Sequence, residues 1–336
     1  MNVLLTGPFG NIGLSTLQQL VTRGHQVRCF DLKTPANLRV ARRFGNAIDV
    51  VWGDLRRPAD VAAAVEGQEV VIHLAFIIPK LSATGRESES RPDWAWQINV
   101  GGTRNLLESM RALPNPPKII FTSSYHVYGR TQHQLPPRLV TDPVRPVEHY
   151  SHHKVLCEQM VRGSGLTWTV FRLSATLPLR LQMDPGMFDV PLNNRMEFTH
   201  TRDVGLALAN AIECDRLWGK TWLIGGGLNC QYTYREIVSR SLEAMGLGML
   251  PDEAFTNIPF ATDWIDTVQS QQLLNYQRFD LGDYLVEMKK ILGWRIRFVR
   301  LFRPWVRRWL LRKSPYFQQG HVEPIPPEAA SAQVHI

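Results

Sequence analysis

Short apolar runs alternate along most of the chain with longer segments in which apolar residues recur every three or four positions. The short runs have the length and β-branched content of buried strands, and the periodic segments have the spacing of amphipathic helices. This alternation predicts an α/β fold, a doubly wound parallel sheet covered by helices. The predicted strands are 2–6, 26–30, 48–52, 69–74, 118–122, 168–172 and 220–225, and the predicted helices lie near 12–22, 58–65, 96–112, 150–163 and 202–213.

A glycine-rich turn joins the first predicted strand to the first predicted helix. Its sequence is Thr6-Gly7-Pro8-Phe9-Gly10-Asn11-Ile12-Gly13. Gly7 permits a tight turn, Gly10 lets backbone N–H groups approach a phosphate, and Gly13 lets the helix pack closely on the strand. Because the amino terminus of a helix attracts anions, this turn is a candidate site for the pyrophosphate of a dinucleotide.

An acidic residue, Asp31, ends the second predicted strand, eighteen residues after Gly13. A carboxylate at that position can accept hydrogen bonds from the ribose hydroxyls of adenosine and repel a 2′-phosphate. Arg28 and Lys33 lie nearby in the sequence and weaken this preference, and the alternative is a turn residue without a binding role. We predict NAD as the cofactor, with NADP less favoured.

Further motifs follow in the order found in one enzyme family. They are Gly53-Asp54-Leu55, Val71-Ile72-His73-Leu74-Ala75, Asn99-Val100-Gly101-Gly102-Thr103, Phe121-Thr122-Ser123-Ser124, Tyr150-Ser151-His152-His153-Lys154, Phe198-Thr199-His200-Thr201-Arg202-Asp203-Val204 and Trp222-Leu223-Ile224-Gly225-Gly226-Gly227. Over about residues 1–292 the chain resembles the extended short-chain dehydrogenase/reductases, in the group of NAD-dependent epimerases and dehydratases. The resemblance implies a Rossmann-type doubly wound parallel sheet with a small C-terminal substrate lobe.

The resemblance also implies which residues contact the cofactor. They are Gly7, Phe9, Gly10, Asn11, Ile12, Gly13, Asp31, Asp54, Leu55, Leu74, Ala75, Asn99, Tyr150 and Lys154. For Asn99 the alternative is a buried amide that satisfies backbone groups. The implied division of the chain is 1–172 plus 198–227 as the NAD-binding domain, 173–197 plus 228–292 as the substrate lobe, and 293–336 as a basic amphipathic segment with a Pro-rich tail.

Three residues carry the predicted chemistry. Tyrosine keeps its proton up to about pH 10, so it is a poor base until a nearby cation stabilises the phenolate. Lys154 supplies that cation, because it lies four residues after Tyr150 on the same helix face. Ser124 ends the fifth strand and can hydrogen-bond the reacting oxygen. We predict that these residues catalyse hydride and proton transfer at a small-molecule secondary alcohol or ketone.

The sequence also contains histidines and cysteines outside the three predicted catalytic residues. His152 and His153 are expected to be exposed helix positions, and His126 is expected either to face a substrate or to pack. No residues have metal-ligand spacing, so no metal is expected. The cysteines are scattered and are expected to be reduced core thiols, namely Cys29, Cys157, Cys214 and Cys230.

The formal net charge of +8 lies in one segment near the carboxyl terminus. Residues 294–313 contain eight Arg or Lys and no acid, interleaved with tryptophan, phenylalanine and leucine, and Pro304 is expected to kink or divide the segment. This composition is typical of a peripheral membrane helix, and the alternative is a helix packed on the protein or on a second subunit of a homodimer. No nucleic acid partner is expected.

No apolar run reaches the length that spans a bilayer, and the first strand begins at the first residues of the chain. We therefore expect a cytoplasmic protein, with contact at the inner membrane surface if residues 294–313 bind lipid. A Pro-rich run at 323–327 follows that segment.

Three departures from the family bear on the substrate. Tyr125-His126 stands where family dehydratases carry Asp-Glu, which disfavours dehydration. Ala175 stands three residues after Arg172, where nucleotide-sugar epimerases usually carry asparagine. The stretch between Arg172 and Phe198 is also short beside that of nucleotide-sugar enzymes. The last two departures disfavour a UDP- or dTDP-sugar.

Three hypotheses about function remain. The first is an NAD-dependent oxidoreductase or epimerase acting at a secondary alcohol or ketone, such as a sugar derivative. The second is an enzyme like the 3β-hydroxysteroid dehydrogenases, acting on a lipid, sterol or terpenoid alcohol, which the apolar loop 76–79 and the basic segment favour. The third is a non-catalytic NAD-binding regulator, against which the intact Ser124, Tyr150 and Lys154 argue.

Overall fold

A seven-stranded parallel sheet forms the centre of the protein, in a computed structural model that describes residues 1–79, 87–179 and 185–317. The order of strands across the sheet is β3-β2-β1-β4-β5-β6-β8. Each predicted strand is confirmed, with ends that differ by at most two residues. The strands are β1 (Asn2–Thr6), β2 (Gln26–Asp31), β3 (Asp49–Trp52), β4 (Val70–His73), β5 (Lys118–Ser124), β6 (Trp168–Leu173), β7 (Arg195–Glu197), β8 (Thr221–Ile224) and β9 (Gln231–Thr233), of which β7 and β9 form a separate pair.

The helices agree with the predicted pattern and add several elements to it. They are α1 (Asn11–Thr22), α2 (Pro35–Ala41), α3 (Pro58–Val65), α4 (Pro92–Trp96), α5 (Gly102–Arg111), α6 (His149–Arg162), α7 (Thr201–Ala211), α8 (Tyr234–Ala244), α9 (Val268–Leu274), α10 (Leu281–Leu292), α11 (Arg295–Leu301) and α12 (Arg303–Leu311). Helix α2 was not predicted because it buries no side chain and so has no apolar stripe. The predicted helix at 96–112 is α4 and α5, joined by a π-helical turn at Gln97–Gly101.

Side chains alternate between the two faces of the sheet and form two apolar layers. On β1, Val3 and Leu5 belong to one cluster and Leu4 to the other, as the period of a strand requires. The first cluster includes α1 and α7, and the second includes α3, α5 and α6. The cysteines are free thiols, and Cys29, Cys157 and Cys230 are buried, while Cys214 is half-buried. The prediction of unpaired thiols is confirmed.

Helices α1 and α7 approach each other very closely on one face. A Cβ at Gly205 would lie 2.6 Å from the Ser15 carbonyl carbon, so only glycine allows this approach. The Ser15 and Thr201 hydroxyls are hydrogen-bonded at 3.2 Å, and Thr201 Oγ1 also lies 3.1 Å from the Asn11 carbonyl. These contacts fix the first turn of α1, which follows the glycine-rich turn.

The chain forms two compact units. The first comprises Met1–Leu179, Met196–Gln231 and Ala261–Tyr284, and the second comprises Arg180–Arg195, Tyr232–Phe260 and Leu285–Ile336. This division differs from the predicted one, which placed 261–284 in the substrate lobe. The reason is that Leu274 and Tyr276 are buried in the core beside the sheet, while Ser270 donates to the Leu223 carbonyl at 2.6 Å. A substrate-binding role for the smaller unit stays a prediction.

Two further predictions concern the carboxyl-terminal part of the chain. Pro304 divides the basic segment as predicted, since α11 ends at Leu301 and α12 begins at Arg303. The Pro-rich run at 323–327 lies outside the described residues. Among the helices of the described ranges, none combines the length and hydropathy needed to cross a bilayer.

Candidate active site

The strand order reverses direction at β1 and β4, and the predicted site residues follow the carboxyl ends of these strands and their neighbours. Thr6 of β1 pairs with Phe30 of β2 and with His73 of β4, and His73 pairs with Phe121 of β5. The loops after all four strands therefore leave the sheet at one edge. In open α/β sheets, ligands bind at this edge, where the strand order reverses.

Two glycines of the glycine-rich turn are required by the fold itself. Gly7 has a φ of +67°, a conformation that disfavours other residues, and its N–H donates to the Phe30 carbonyl at 3.0 Å. A Cβ at Gly13 would lie 2.0 Å from the Gly7 carbonyl oxygen. Any side chain at Gly13 would therefore push α1 away from the turn.

Gly10 has no such structural requirement. Its φ of −74° suits any residue, and a Cβ there would make only an ordinary contact, 3.5 Å from the Gly7 carbonyl oxygen. Gly10 precedes the first turn of α1, whose N–H groups have no partners within the helix. A small residue here keeps space beside those N–H groups, so the turn fits the pyrophosphate of the predicted NAD.

Asp31 lies at the end of β2, beside the glycine-rich turn. Its half-buried carboxylate accepts hydrogen bonds from the backbone N–H groups of Leu32, at 2.8 Å, and Phe9. Burial raises the pKa of Asp31 to about 6, against the opposing effect of these hydrogen bonds and of one from Asn37. The carboxylate is therefore mostly ionised at pH 7, as the predicted ribose contact requires.

The other predicted cofactor residues border this turn or follow β3 and β4. The Thr6 hydroxyl accepts hydrogen bonds from the N–H groups of Leu74 and Ala75, at 3.1 Å each, which hold the chain after β4 against the turn. Asp54 forms a salt bridge with the arginine two residues later, which lowers the pKa of Asp54, and Leu55 is buried. The remaining members line the start of α1, with Phe9 on the ring of Trp52 at 5.7 Å, Asn11 as the first helical residue and Ile12 against the core.

Strand β5 and helix α6 bring the two predicted catalytic hydroxyls together. Ser124 is the last residue of β5, Tyr150 lies in the first turn of α6, and the Ser124 side chain is close enough to the phenol to influence its pKa. Burial raises the pKa of Tyr150 above its ordinary value, the Ser124 side chain opposes this shift, and the Glu148 carboxylate adds to it. The phenol is therefore protonated and can donate a proton to an oxygen beside it.

Lys154 lies one helical turn after Tyr150, within a box of aromatic rings. Its Nζ donates to the Thr122 carbonyl at 2.6 Å and lies 3.4 Å from the ring centroid of Phe76, 4.9 Å from that of Phe121 and 5.7 Å from that of Tyr150. The residue is 3% exposed, and burial lowers its pKa to about 7. Lys154 can therefore gain or lose a proton near neutral pH.

Acidic residues that the sequence analysis did not single out hold the first turn of α6. The Glu89 carboxylate accepts hydrogen bonds from the N–H groups of His149, at 3.1 Å, and Tyr150, at 2.9 Å. The Glu148 N–H donates to Ser151 Oγ at 3.0 Å, as part of a capping box. Both carboxylates lie at the positive end of the helix dipole. Glu89 has no sequence signal, because it comes from a loop sixty residues earlier in the chain.

His126 joins the same cluster. Its Nδ1 lies 2.9 Å from Glu148 Oε2, its ring packs edge-on against that of Tyr150 at 5.9 Å, and its backbone N–H donates to Ser124 Oγ at 3.3 Å. His126 therefore packs against this cluster and also lies close to the predicted catalytic residues. Its contact with a substrate stays a prediction.

The expectation that the paired histidines are exposed is wrong at His153. His153 is buried, its ring lies 5.4 Å from that of Trp96, and its Nδ1 lies 3.3 Å from Asn99 Nδ2. The cause is the packing of α6 on the π-helical turn, and burial lowers the pKa of His153 to about 4. His152 is half-buried.

The Asn99 amide is fully buried and holds the loop after β4. Its Oδ1 accepts the Ile77 N–H at 2.7 Å, and its Nδ2 donates to the Ile77 carbonyl at 3.0 Å. These two hydrogen bonds position the segment that carries Phe76. Contact between Asn99 and the cofactor stays a prediction. Within the described ranges, no three His, Cys, Asp or Glu side chains are grouped to hold a metal ion.

The parallel sheet and the glycine-rich turn at its switch point are features of nicotinamide-dependent enzymes. The chain belongs to the NAD dependent epimerase/dehydratase family, whose profile matches residues 3–177. The family prediction and the predicted cofactor, NAD, are confirmed at this level. The matched range includes the glycine-rich turn and all three predicted catalytic residues.

Curated relatives include both dehydrogenases and epimerases. D-erythronate dehydrogenase of Cupriavidus necator is 32% identical over 174 residues, which are 48% of this chain and 49% of the relative. A 3-beta-hydroxysteroid dehydrogenase of Mycolicibacterium neoaurum is 29% identical over 163 residues, covering 48% of this chain and 43% of the relative. A UDP-glucose 4-epimerase of Klebsiella pneumoniae is 36% identical over 135 residues, covering 38% of this chain and 93% of the relative. The chain thus spans about half the length of the first two relatives.

Solved structures share the fold over almost the whole chain. A short-chain dehydrogenase/reductase superfamily protein from Agrobacterium tumefaciens with bound NAD has a TM-score of 0.71 at 20% identity, covering 91% of this chain and 100% of that one. A UDP-glucuronic acid 4-epimerase from Bacillus cereus, in complex with UDP-glucuronic acid and NAD, has a TM-score of 0.72 at 21% identity. The match covers 89% of this chain and 100% of that one. At such identities the likeness shows the Rossmann-type fold alone.

Proposed function

We propose that the chain is an NAD-dependent dehydrogenase that interconverts a secondary alcohol and a ketone. The observation that carries this proposal is the placement of Ser124, at the end of β5, beside the Tyr150 phenol, whose pKa it lowers, with Lys154 buried one helical turn further on. A dehydrogenase is favoured over an epimerase because Ala175 replaces the asparagine usual in nucleotide-sugar epimerases.

Tyr150 is the group that moves the proton. During ketone reduction its phenol donates a proton to the carbonyl oxygen, and during alcohol oxidation the phenolate accepts the hydroxyl proton. Ser124 hydrogen-bonds the same oxygen and keeps it near the phenol. When bound, NAD would accept a hydride from the reacting carbon during oxidation, and NADH would return it during reduction. The positive charge of Lys154 stabilises the phenolate that remains after proton donation, because the ammonium lies close to the Tyr150 ring.

The residues that would hold the cofactor follow from the geometry of the turn. The N–H groups beside Gly10 would bind the pyrophosphate, and Asp31 would accept the hydroxyls of the adenosine ribose. By resemblance to the family, Lys154 would also contact the nicotinamide ribose. Gly7 and Gly13 act indirectly, since they give the turn its shape.

A sugar acid or another small hydroxy compound is the first substrate class to test, since a D-erythronate dehydrogenase is among the relatives. A sterol or other lipid alcohol is the second candidate. It is favoured by the apolar surroundings of Tyr150, where the Phe76 ring lies 5.8 Å from the phenol ring and Ile77 is 5% exposed. A non-catalytic NAD-binding regulator is the third possibility, and the presence of Ser124, Tyr150 and Lys154 together argues against it.

An absorbance screen tests the proposal. Sugar acids, sugars, nucleotide sugars and 3β-hydroxysteroids would be offered with NAD, and formation of NADH would be followed. Tyr150→Phe should keep NAD binding and lose about 10²- to 10⁴-fold in turnover, because it deletes the transferable proton and keeps the ring. Ser124→Ala should be milder. Full activity of Tyr150→Phe on an identified substrate would refute the proton-transfer role of Tyr150, whereas NAD binding without NADH formation from any compound offered would favour the regulator.

A matched pair of glycine variants tests the phosphate site separately from stability. Gly10→Ala should fold normally, because the new methyl group would make only an ordinary contact, 3.5 Å from the Gly7 carbonyl oxygen. It should bind NAD about tenfold more weakly, because the methyl group takes up space beside the N–H groups of the turn. Gly13→Ala should lower the free energy of unfolding by about 2 kcal/mol or more, because its Cβ meets the Gly7 carbonyl. Calorimetric titration and thermal melts separate the two effects. Unchanged NAD affinity in Gly10→Ala would remove the phosphate assignment.

Asp31→Ala tests the choice between NAD and NADP. If Asp31 accepts the ribose hydroxyls, the wild-type protein should bind NAD more tightly than NADP, and the variant should narrow or invert that ratio. Because the pKa of Asp31 is about 6, the wild-type preference should also weaken below that pH, where the carboxyl is protonated. Equal affinities for both cofactors in the wild type at pH 8 would contradict the assignment.

A further inference from the structure

The helix pair α11–α12 exposes large apolar side chains in a short stretch of chain. Leu301 is 73% exposed, Trp305 is 70% exposed and Trp294 is 65% exposed, and Phe298, Phe302 and Trp309 are exposed as well. The rings of Phe302 and Trp305 stack on each other at 5.9 Å. Folded proteins rarely leave a contiguous apolar patch in water unless it binds something.

The helix pair is nevertheless held firmly on its own unit by one face. Arg303 Nε donates to the Leu247 carbonyl at 2.8 Å, and Arg307 donates to the carbonyls of residues 247–249 at 2.6 to 2.9 Å. Leu310 is 3% exposed, and Ser314 donates to the Ala254 carbonyl at 2.6 Å. The exposed aromatic residues therefore form the outer surface of a docked element.

Cations lie among the exposed rings. Arg295 lies 5.8 Å from the Trp294 ring centroid, Lys313 lies 5.7 Å from that of Trp309, and Arg297 and Arg308 are also exposed. No acidic residue occurs between 294 and 313. The outer surface thus combines aromatic side chains with positive charge that no acidic residue of the segment neutralises.

This combination selects one kind of partner. Tryptophan is enriched at the headgroup level of bilayers, and exposed Arg and Lys bind anionic headgroups. A second copy of the chain would fit poorly, because a two-fold contact brings the same patch, with the same cations, against itself. A nucleic acid would neutralise the positive charge of this surface, but it would leave the exposed leucine and phenylalanine side chains in water.

We propose that α11–α12 is a docking surface for anionic lipid bilayers. The exposed tryptophans lie at the interface, the exposed arginines contact lipid phosphates, and Arg303 and Arg307 anchor the surface to the protein. This association does not depend on the identity of the substrate.

Vesicle co-sedimentation of the full chain tests this proposal. The protein should pellet with phosphatidylcholine vesicles that contain phosphatidylserine, and much less with phosphatidylcholine alone. Raising the salt from about 0.1 M to about 1 M should weaken binding, since the Debye length falls from about 10 Å to about 3 Å. Absence of pelleting with anionic vesicles at low salt would overturn the proposal.

Two combined variants with matched controls locate the surface. Replacing Trp294, Leu301 and Trp305 by alanine should abolish most vesicle binding, whereas replacing Leu135 and Leu228, which are 89% and 85% exposed in the other unit, should not. The variant Arg295→Gln, Arg297→Gln and Arg308→Gln should bind at least about tenfold more weakly, since each basic residue near an anionic surface contributes about fivefold. Its control, with the same change in net charge, is Arg104→Gln, Arg111→Gln and Arg216→Gln.

The outcomes separate the possible occupants. Equal vesicle binding by the variants and their controls would overturn the proposal. So would a dimer in solution that the aromatic variant converts to a monomer without any vesicle binding, or salt-sensitive binding to a DNA duplex without vesicle binding. Thermal melts and NAD titration of each variant show whether the fold is kept, so failure of lipid binding is distinguishable from failure of the dehydrogenase proposal.

Discussion

Cations meet aromatic rings in two regions of this protein, and burial makes the regions chemically different. Beside β5, Lys154 is 3% exposed, lies 3.4 Å from the Phe76 ring centroid and has a pKa of about 7. In α12 and just after it, Lys313 lies 5.7 Å from the Trp309 ring centroid and is exposed to water. The ring contact is common to both, so it does not decide function. Removal of water makes Lys154 a group that titrates near neutral pH, whereas Lys313 presents its charge to partners.

The largest expected effect follows from removing the buried cation. Lys154→Met keeps the length of the side chain and deletes the charge that would stabilise the Tyr150 phenolate. Turnover on an identified substrate should fall by about 10²-fold or more, with weaker NAD binding. Lys220→Met controls for the loss of one charge, because Lys220 is exposed and lies 5.8 Å from the Trp222 ring centroid. Equal activity of the two variants would remove the distinction between the regions.

Although Lys154→Met should lower turnover, it should raise the free energy of unfolding at neutral pH. Folding lowers the pKa of Lys154 from 10.5 to about 7, so between these pH values the unfolded chain binds more protons than the folded one. The loss in free energy of unfolding that burial of Lys154 causes is therefore complete below pH 7, and it disappears as the pH rises towards 10.5. Lys154→Met should be more stable than the wild type at pH 7, and denaturant titrations should show this advantage shrinking by pH 10. An advantage that does not vary with pH would contradict the burial argument.

Much of the site could be predicted from sequence, because its motifs act locally. The glycine-rich turn lies within eight residues, and the spacing from Tyr150 to Lys154 is one helical turn, so chain connectivity alone brings each set together. The central strands could be predicted equally well, because both faces of the sheet are buried there and β1, β4 and β5 contain continuous apolar runs.

The parts that could not be predicted depend on loops from distant positions. Glu89 caps α6 from sixty residues away, and Phe76 reaches Lys154 because Asn99 holds the loop after β4. No local pattern marks such contacts. His153 shows the same limit, since its burial depends on the π-helical turn of another helix. The sequence also showed that the basic segment is amphipathic, without showing which side chains are exposed.

A pair of Phe76 variants can separate the ring contact from the exclusion of water. Phe76→Leu keeps the site dry and removes the aromatic face, so the pKa of Lys154 should fall further. Phe76→Ala admits water, so the pKa of Lys154 should rise towards 10.5. The pH dependence of Lys154 acylation, read by peptide mass spectrometry, measures both shifts. A fall in both variants would mean that the ring contact outweighs burial, and a rise in both would mean the reverse.

The smallest expected effect lies at the exposed counterpart. Lys313→Gln removes a cation that lies on the Trp309 ring in water, where such contacts are worth about 0.5 to 1 kcal/mol before the side-chain entropy that opposes them. We expect the free energy of unfolding to change by no more than about 0.5 kcal/mol, because hydration of the ammonium competes with the ring. Urea titration measures this change. A loss of 2 kcal/mol or more, roughly the size seen when a core contact is removed, would show that Lys313 supports the fold, and the difference between the two regions would then not be one of burial.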